Sequence, residues 1–152
     1  MLYIHMESKE KIKARQQRYV QSPKGRISRY KRNNKYAETL NGRAFILYSS
    51  AKQRAKNQKL PFSITHELVK KCLIECNGSC QVTGTPLSFE LRSDVSQNPF
   101  APSIDQKISG NGYTLDNIQI VAVWYNRMKS DLTDAEAQQI LLECHHGLLQ
   151  KH

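Results

Sequence analysis

Between Ala44 and Lys59 apolar residues recur at helical spacing. Phe45, Leu47, Tyr48, Ala51 and Ala55 form one stripe, and Lys52, Arg54, Lys56 and Lys59 fall opposite it, which predicts an amphipathic helix. Leu60-Pro61 ends it, because proline disfavours helical backbone in the residue before it. A second helix is expected over 64–76. Thr65 suits its N-cap, Glu67 its first turn, and Leu68, Cys72, Leu73 and Cys76 share one face. Asn77-Gly78 stops it. Residues 81–89 carry a turn at Thr83-Gly-Thr-Pro86 and read as a short hairpin, and 91–101 as a polar loop. Thr133-Asp-Ala-Glu136 has the spacing of a capping box. It opens a last helix in which Ala137, Leu141, Cys144 and Leu148 repeat at helical intervals.

The stretch between these helices changes period. Residues 103–108 suit a short strand, Gly110-Asn-Gly112 demands a loop, 118–121 is a second strand, and 122–129 is helix-permissive. Strand, loop, strand and helix in so short a span form a unit in which strand and helix face one another. Asp105 then lies on the first strand and Asn126 on the helix, a carboxylate and an amide oxygen able to share one hard cation such as Mg²⁺. The expected class is α+β: a small, mostly helical domain around this unit.

Residues 1–43 read differently. Tyr19-Val-Gln-Ser-Pro-Lys-Gly-Arg26 recurs as Tyr36-Ala-Glu-Thr-Leu-Asn-Gly-Arg43, each copy bearing an aromatic, a Ser or Thr, a Gly and an Arg in one register. Two basic helical segments joined by Gly-containing turns are expected, with Ser22 and Thr39 as N-caps. Two copies are too few for a solenoid with its own core.

Charge sharpens this division. The chain has a net charge of +10, and residues 1–60 hold 16 Lys/Arg against 3 Asp/Glu, whereas 61–152 hold 7 against 10. A basic arm beside a mildly acidic body points to a polyanionic partner. The expected phosphate contacts are Arg26, Arg29, Lys31, Arg32, Arg43, Lys52 and Arg54, with Tyr19, Tyr30 and Tyr36 packing or stacking. The alternative for the arm is a solvated helical pair packed on the body. No apolar run is long enough for a membrane span, and the opening Met1-Leu-Tyr-Ile-His-Met lacks the pattern of a secretory signal. The expected compartment is the cytoplasm, and Cys72, Cys76, Cys80 and Cys144 are expected as reduced thiols. No CxxC pair occurs, which argues against structural zinc.

With these residues in place, the segment 103–129 resembles the HNH (ββα-metal, His-Me finger) endonuclease motif, in the phage and homing-type variant that ends in Asn. Asp105 matches the Asp of the first strand, Asn117 the middle Asn, Asn126 the terminal residue and Lys129 the trailing Lys. Gly112-Tyr-Thr-Leu-Asp-Asn-Ile-Gln resembles the family's glycine loop, and Cys80-Gln-Val-Thr-Gly-Thr-Pro-Leu the segment before the motif. The similarity covers roughly 44–131. It implies a nuclease domain over 44–152, a phage or mobile-element origin, and double-stranded DNA as partner inside a bacterial host. It also implies one divalent metal, Mg²⁺ or Mn²⁺, on Asp105 and Asn126, a bracing role for Asn117, and phosphate contacts from Lys107, Arg127 and Lys129.

Two departures bear on the chemistry. The family's general base is the His after the Asp, and that position is Gln106, which cannot take a proton from water near neutral pH. His66, His145, His146, Tyr113 or metal-activated water are the substitutes. Where the family has a zinc knuckle, two CxxC pairs flank the motif; those positions here read Cys80/Thr83 and Ala122/Tyr125, so an apolar core including Trp124 and Tyr125 must do the bracing. The expected function is a metal-dependent DNA endonuclease or nickase. The competing readings are a catalytically silent DNA-binding module of the same fold and an RNA-binding accessory protein. No pattern fixes the oligomeric state; a dimer is compatible with the chain.

Overall fold

The computed structural model describes residues 8–90 and 97–150. The chain divides into two compact units, one ending at Tyr36 and the other beginning at Ala37. The first holds two helices, α1 (Lys9–Gln21) and nearly all of α2 (Pro23–Ala37). The corner between them explains the sequence repeat. The Ser22 hydroxyl accepts from the Gly25 amide at 3.1 Å and donates to the Tyr19 carbonyl at 2.6 Å, so Ser22 caps α2 while closing α1. Gly25 lies inside α2, not in a joining turn as expected from sequence. A Cβ at Gly25 would come within 1.9 Å of the Tyr19 carbonyl oxygen, so glycine here permits the close approach of two helices. The second copy follows the same plan: the Thr39 hydroxyl accepts from the Gly42 amide at 3.0 Å and caps α3 (Leu40–Gln58). That cap starts α3 four residues before the expected Ala44 and draws Arg43 into the second unit.

The second unit is mixed helix and sheet. It comprises α3, α4 (His66–Glu75), β1 (Pro102–Gln106), a single 3₁₀ turn (Leu115–Asn117), β2 (Ile118–Ala122), α5 (Val123–Lys129) and α6 (Asp134–Leu149). Thr65 caps α4 and Thr133 caps α6, the latter with Glu136 in a reciprocal capping box. β1 and β2 pair antiparallel, with Ile104 opposite Ile120 and Asp105 opposite Gln119. Side chains alternate across a strand, so the sheet has two faces of different character. Ile104, Ile118 and Ile120 pack with Ala44, Leu47, Ala51 and Ala55 of α3 and Val69 and Leu73 of α4. On the other side Val121 joins Cys80, Ala122, Tyr125 and Ala137. Trp124 packs against this second cluster. Among the described residues all four cysteines are free, and no helix is long and apolar enough to cross a membrane.

Residues 81–89 form a tight turn, not the expected hairpin. Their pairing is limited to one Ser79–Pro86 bridge. Two bonds make that bridge, Cys80 donating to Thr85 and Leu87 to Gly78, while Gln81 donates outward to Ile120 of β2. Most of the expected loop at 91–101 lies outside the described residues.

Candidate functional site

The glycine loop after β1 is held from two sides. Tyr113 donates its amide to the Pro61 carbonyl at 2.8 Å, and Ser63 donates to the Tyr113 carbonyl at 3.0 Å. Gly112 has φ +84°, and a Cβ there would stand 2.4 Å from the Pro61 carbonyl oxygen; both conformation and space require glycine. From inside, buried Asn117 binds the loop backbone three times. Its Oδ1 accepts from the Ile108 amide at 3.0 Å, and its Nδ2 donates to the carbonyls of Ile108 (3.1 Å) and Gly112 (2.7 Å). Gln106 adds a fourth tie, its Oε1 accepting from the Gly112 amide at 3.0 Å. That side chain serves loop geometry.

This bracing shapes a cleft of about 330 Å³ between the end of β1, the glycine loop, α3 and α5. Ser103, Asp105 and Gln106 line it from β1, Asn126 and Arg127 from α5, Arg54 and Gln58 from α3, and Ser109, Tyr113 and Asp131 from loops. Ser103 and Asp105 stand two apart on the strand and so face α5 together. Asn126 is anchored there: its Nδ2 donates to Ser103 Oγ at 2.7 Å and to the Ile104 carbonyl at 3.3 Å. No donor among the described residues reaches its Oδ1. Arg54 is held by the Tyr113 hydroxyl (2.8 Å) and the Ile104 carbonyl (3.2 Å). Arg127 donates to Gln97 at 2.6 Å and is otherwise exposed.

Asp105 is almost fully buried, at 4% exposure, and Lys129 is completely so. The Lys129 ammonium lies 3.2 Å from Asp105 Oδ2 and 2.8 Å from the Gln106 carbonyl. From the other side Gln119 donates to Asp105 Oδ2 at 2.9 Å and to both oxygens of Asp134 at 3.0–3.1 Å. Tyr125 closes the chain by donating to Asp134 at 2.7 Å. Burial pushes the Asp105 carboxyl above the ordinary carboxylate range, against the opposing pull of Gln119 and Lys129. The Tyr125 phenol is pushed up as well, by burial and then by its bond to Asp134.

A hard divalent cation suits this donor set. Mg²⁺ typically takes one or two protein oxygens and fills its remaining positions with water and substrate phosphate. Asn126 offers an amide oxygen with no donor among the described residues, and Asp105 a carboxylate that lines the same cleft. Among the described residues no group of three or more His, Cys, Asp or Glu side chains gathers anywhere, so these oxygens would be supplemented by solvent and substrate.

Most of the other residues expected to act lie outside the cleft lining. Arg26, Arg29, Lys31 and Arg32 are exposed on α2, in the first unit. Lys52 and Lys107 are exposed in the second unit. Arg43 is a correction: it is buried at 7% exposure, its guanidinium donating to the Phe89 carbonyl at 2.8 Å and stacking 5.5 Å from that ring, so it cannot contact phosphate. Lys129 is a second correction, for the same reason: its ammonium is spent on Asp105 and Gln106. Of the substitute bases, His66 bonds to the Asn41 carbonyl and Glu67, while His145 and His146 are exposed on α6; none lines the cleft. Tyr113 does, as the acceptor of the Arg54 bond.

Sequence reasoning missed Ser103, Gln119, Asp134 and Asp131. Strand alternation from Asp105 points to Ser103, and strand register points to Gln119. Asp134 and Asp131 follow the helix of the motif at no regular spacing, so no local signal marks them. No family model, curated protein or solved structure matches the chain.

Proposed function

We propose that this chain is a metal-dependent DNA endonuclease or nickase of the HNH type, hydrolysing phosphodiester bonds in double-stranded DNA. One observation carries the reading: Asp105 and Asn126 line one solvent-open cleft that Arg54 and Arg127 also border. A metal bound by Asp105 and Asn126 would stabilise the negative charge that grows on the phosphate and on the leaving 3′ oxygen. The protein's own groups do the rest. Arg54 and Arg127 take phosphate oxygens, Arg54 from a direction already fixed by Tyr113 and Ile104. Lys129 and Gln119 hold the Asp105 carboxylate in one orientation, and Asn117 keeps the loop edge of the cleft rigid. The basic α1–α2 unit adds sequence-independent affinity along the DNA backbone.

The silent DNA-binding module has one observation in its favour. The position of the family's base holds Gln106, whose side-chain oxygen is engaged by Gly112. Nicking of supercoiled plasmid with Mg²⁺ and with EDTA, paired with duplex-DNA and structured-RNA binding, separates the readings. Mg²⁺-dependent nicking supports the enzyme. Duplex binding without nicking supports the silent module, and preference for structured RNA refutes both.

A further inference from the structure

Resting on the nuclease reading, we propose that Asp131 is the group that accepts the proton of the attacking water, in place of the absent histidine. Two carboxylates line the cleft among its described residues, Asp105 and Asp131. Asp105 is buried, tied to Lys129 and Gln119, and on the nuclease reading is the metal's ligand, which leaves Asp131 for the proton. Asp131 is exposed. Its Oδ1 accepts from the Ser109 hydroxyl at 2.8 Å, which fixes the carboxylate beside another residue of the cleft lining, and no described residue donates to its Oδ2. The backbone is built to deliver it. α5 ends at Ser130 with φ 49° and ψ −118°, a conformation side chains other than glycine rarely adopt. The Ser130 amide still bonds to the Asn126 carbonyl at 3.1 Å, so the turn that places Asp131 is hung from the residue that offers the amide oxygen. Strained backbone of this kind concentrates at functional sites.

The step balances without a further reactant. The water oxygen forms the new bond to phosphorus as its proton passes to Asp131 Oδ2. The bond from phosphorus to the 3′ oxygen breaks, and that oxygen leaves with the electron pair and is protonated by solvent. Asp131 later returns its proton to solvent.

Plasmid nicking and duplex-DNA binding by the full chain and its Asp131→Asn and Asp131→Ala variants test this. Loss of a positioned base lowers the rate about 100-fold or more. Asp131→Asn is expected to lose that much in kcat while duplex affinity stays within about threefold, and added formate is expected to restore at least tenfold of the Asp131→Ala rate. Formate rescue distinguishes a missing carboxylate from a misfolded chain. Nicking by Asp131→Asn at the wild-type rate overturns the assignment. So does a defect cured by raised Mg²⁺, which marks a metal ligand, and so does a loss that formate does not restore. A wild-type chain that nicks nothing overturns the nuclease reading, and this assignment with it.

Discussion

Lys129→Met exchanges a buried ammonium for an apolar chain of similar length. The ammonium stands 3.2 Å from Asp105 Oδ2, with the two side chains 0% and 4% exposed. At an effective dielectric of about 20, the gross attraction at that separation is about 5 kcal/mol, much of it offset by the desolvation of both ions. Removing one partner removes the attraction but leaves the carboxylate desolvated, with only Gln119 to satisfy it. The expected loss of unfolding free energy is therefore about 3–5 kcal/mol at pH 7, a large share of the roughly 5–15 kcal/mol that holds a domain together. Urea denaturation followed by the fluorescence of Trp124, the single tryptophan, measures it. Two further outcomes belong to the same reasoning. Asp105→Asn on the Lys129→Met background removes the orphan charge and is expected to recover about 2 kcal/mol. Burial already raises the Asp105 carboxyl, and loss of Lys129 raises it further. A raised folded-state pKa makes the folded protein the better proton binder, so its contribution is full below the unfolded value and is lost as pH rises through the folded one. The Lys129→Met penalty should accordingly shrink on acidification from neutral pH. A loss below about 1 kcal/mol, or a double variant no more stable than Lys129→Met, would refute the account of this pair.

Three other outcomes follow from single features. Gly112→Ala combines φ +84° with a Cβ 2.4 Å from the Pro61 carbonyl oxygen; it is expected to cost about 2–3 kcal/mol in the same denaturation assay, and a neutral result contradicts the fixed loop. The two arginines of the repeat should part company: Arg43→Ala lowers stability by about 2 kcal/mol without weakening duplex binding, whereas Arg26→Ala weakens binding, measured by fluorescence anisotropy, and leaves stability unchanged. Thr133→Ala should destabilise by about 1 kcal/mol through α6. The cap's backbone amide and hydroxyl hold the Glu136 carboxyl below its ordinary range. The cap's contribution is thus present above the unfolded glutamate value and lost as pH falls through the depressed one, so the gap between Thr133→Ala and wild type should close in acid.

What the sequence revealed and what it hid divide along the range of the interactions involved. Thr65 and Thr133 cap the helices they were expected to cap, and the Ala51–Ala55 stripe of α3 faces the core, because capping and periodicity depend on residues within one or two turns. The two strands fall where the change of period placed them, as Pro102–Gln106 and Ile118–Ala122. The repeat was visible, but its meaning was inverted: Gly25 and Gly42 sit inside helices as the third residue after the cap, and at Gly25 the close approach of α1, not a turn, calls for glycine. Arg43 and Arg26 occupy the same register in the two copies, yet one is buried beneath Phe89 and the other is exposed. Lys129 likewise looks like a phosphate contact until the fold brings Asp105, 24 residues earlier, against it. Charged residues reveal their partners only in three dimensions, so the polar chain from Lys129 through Asp105, Gln119 and Asp134 to Tyr125 was not legible.

Asn126→Ala addresses the nuclease reading with the least disturbance. Asp105→Ala would strand a buried Lys129 and confuse activity with folding, whereas Asn126 is half-buried and its Oδ1 has no donor among the described residues. The decisive measurement is the initial rate of supercoiled-plasmid nicking in Mg²⁺ by wild type and Asn126→Ala, at matched fraction folded and matched DNA occupancy. The account predicts nicking by the wild type that EDTA abolishes, and a loss of about 100-fold or more in Asn126→Ala. Equal rates in the two proteins, or a wild type that binds duplex DNA and leaves it intact, would contradict it.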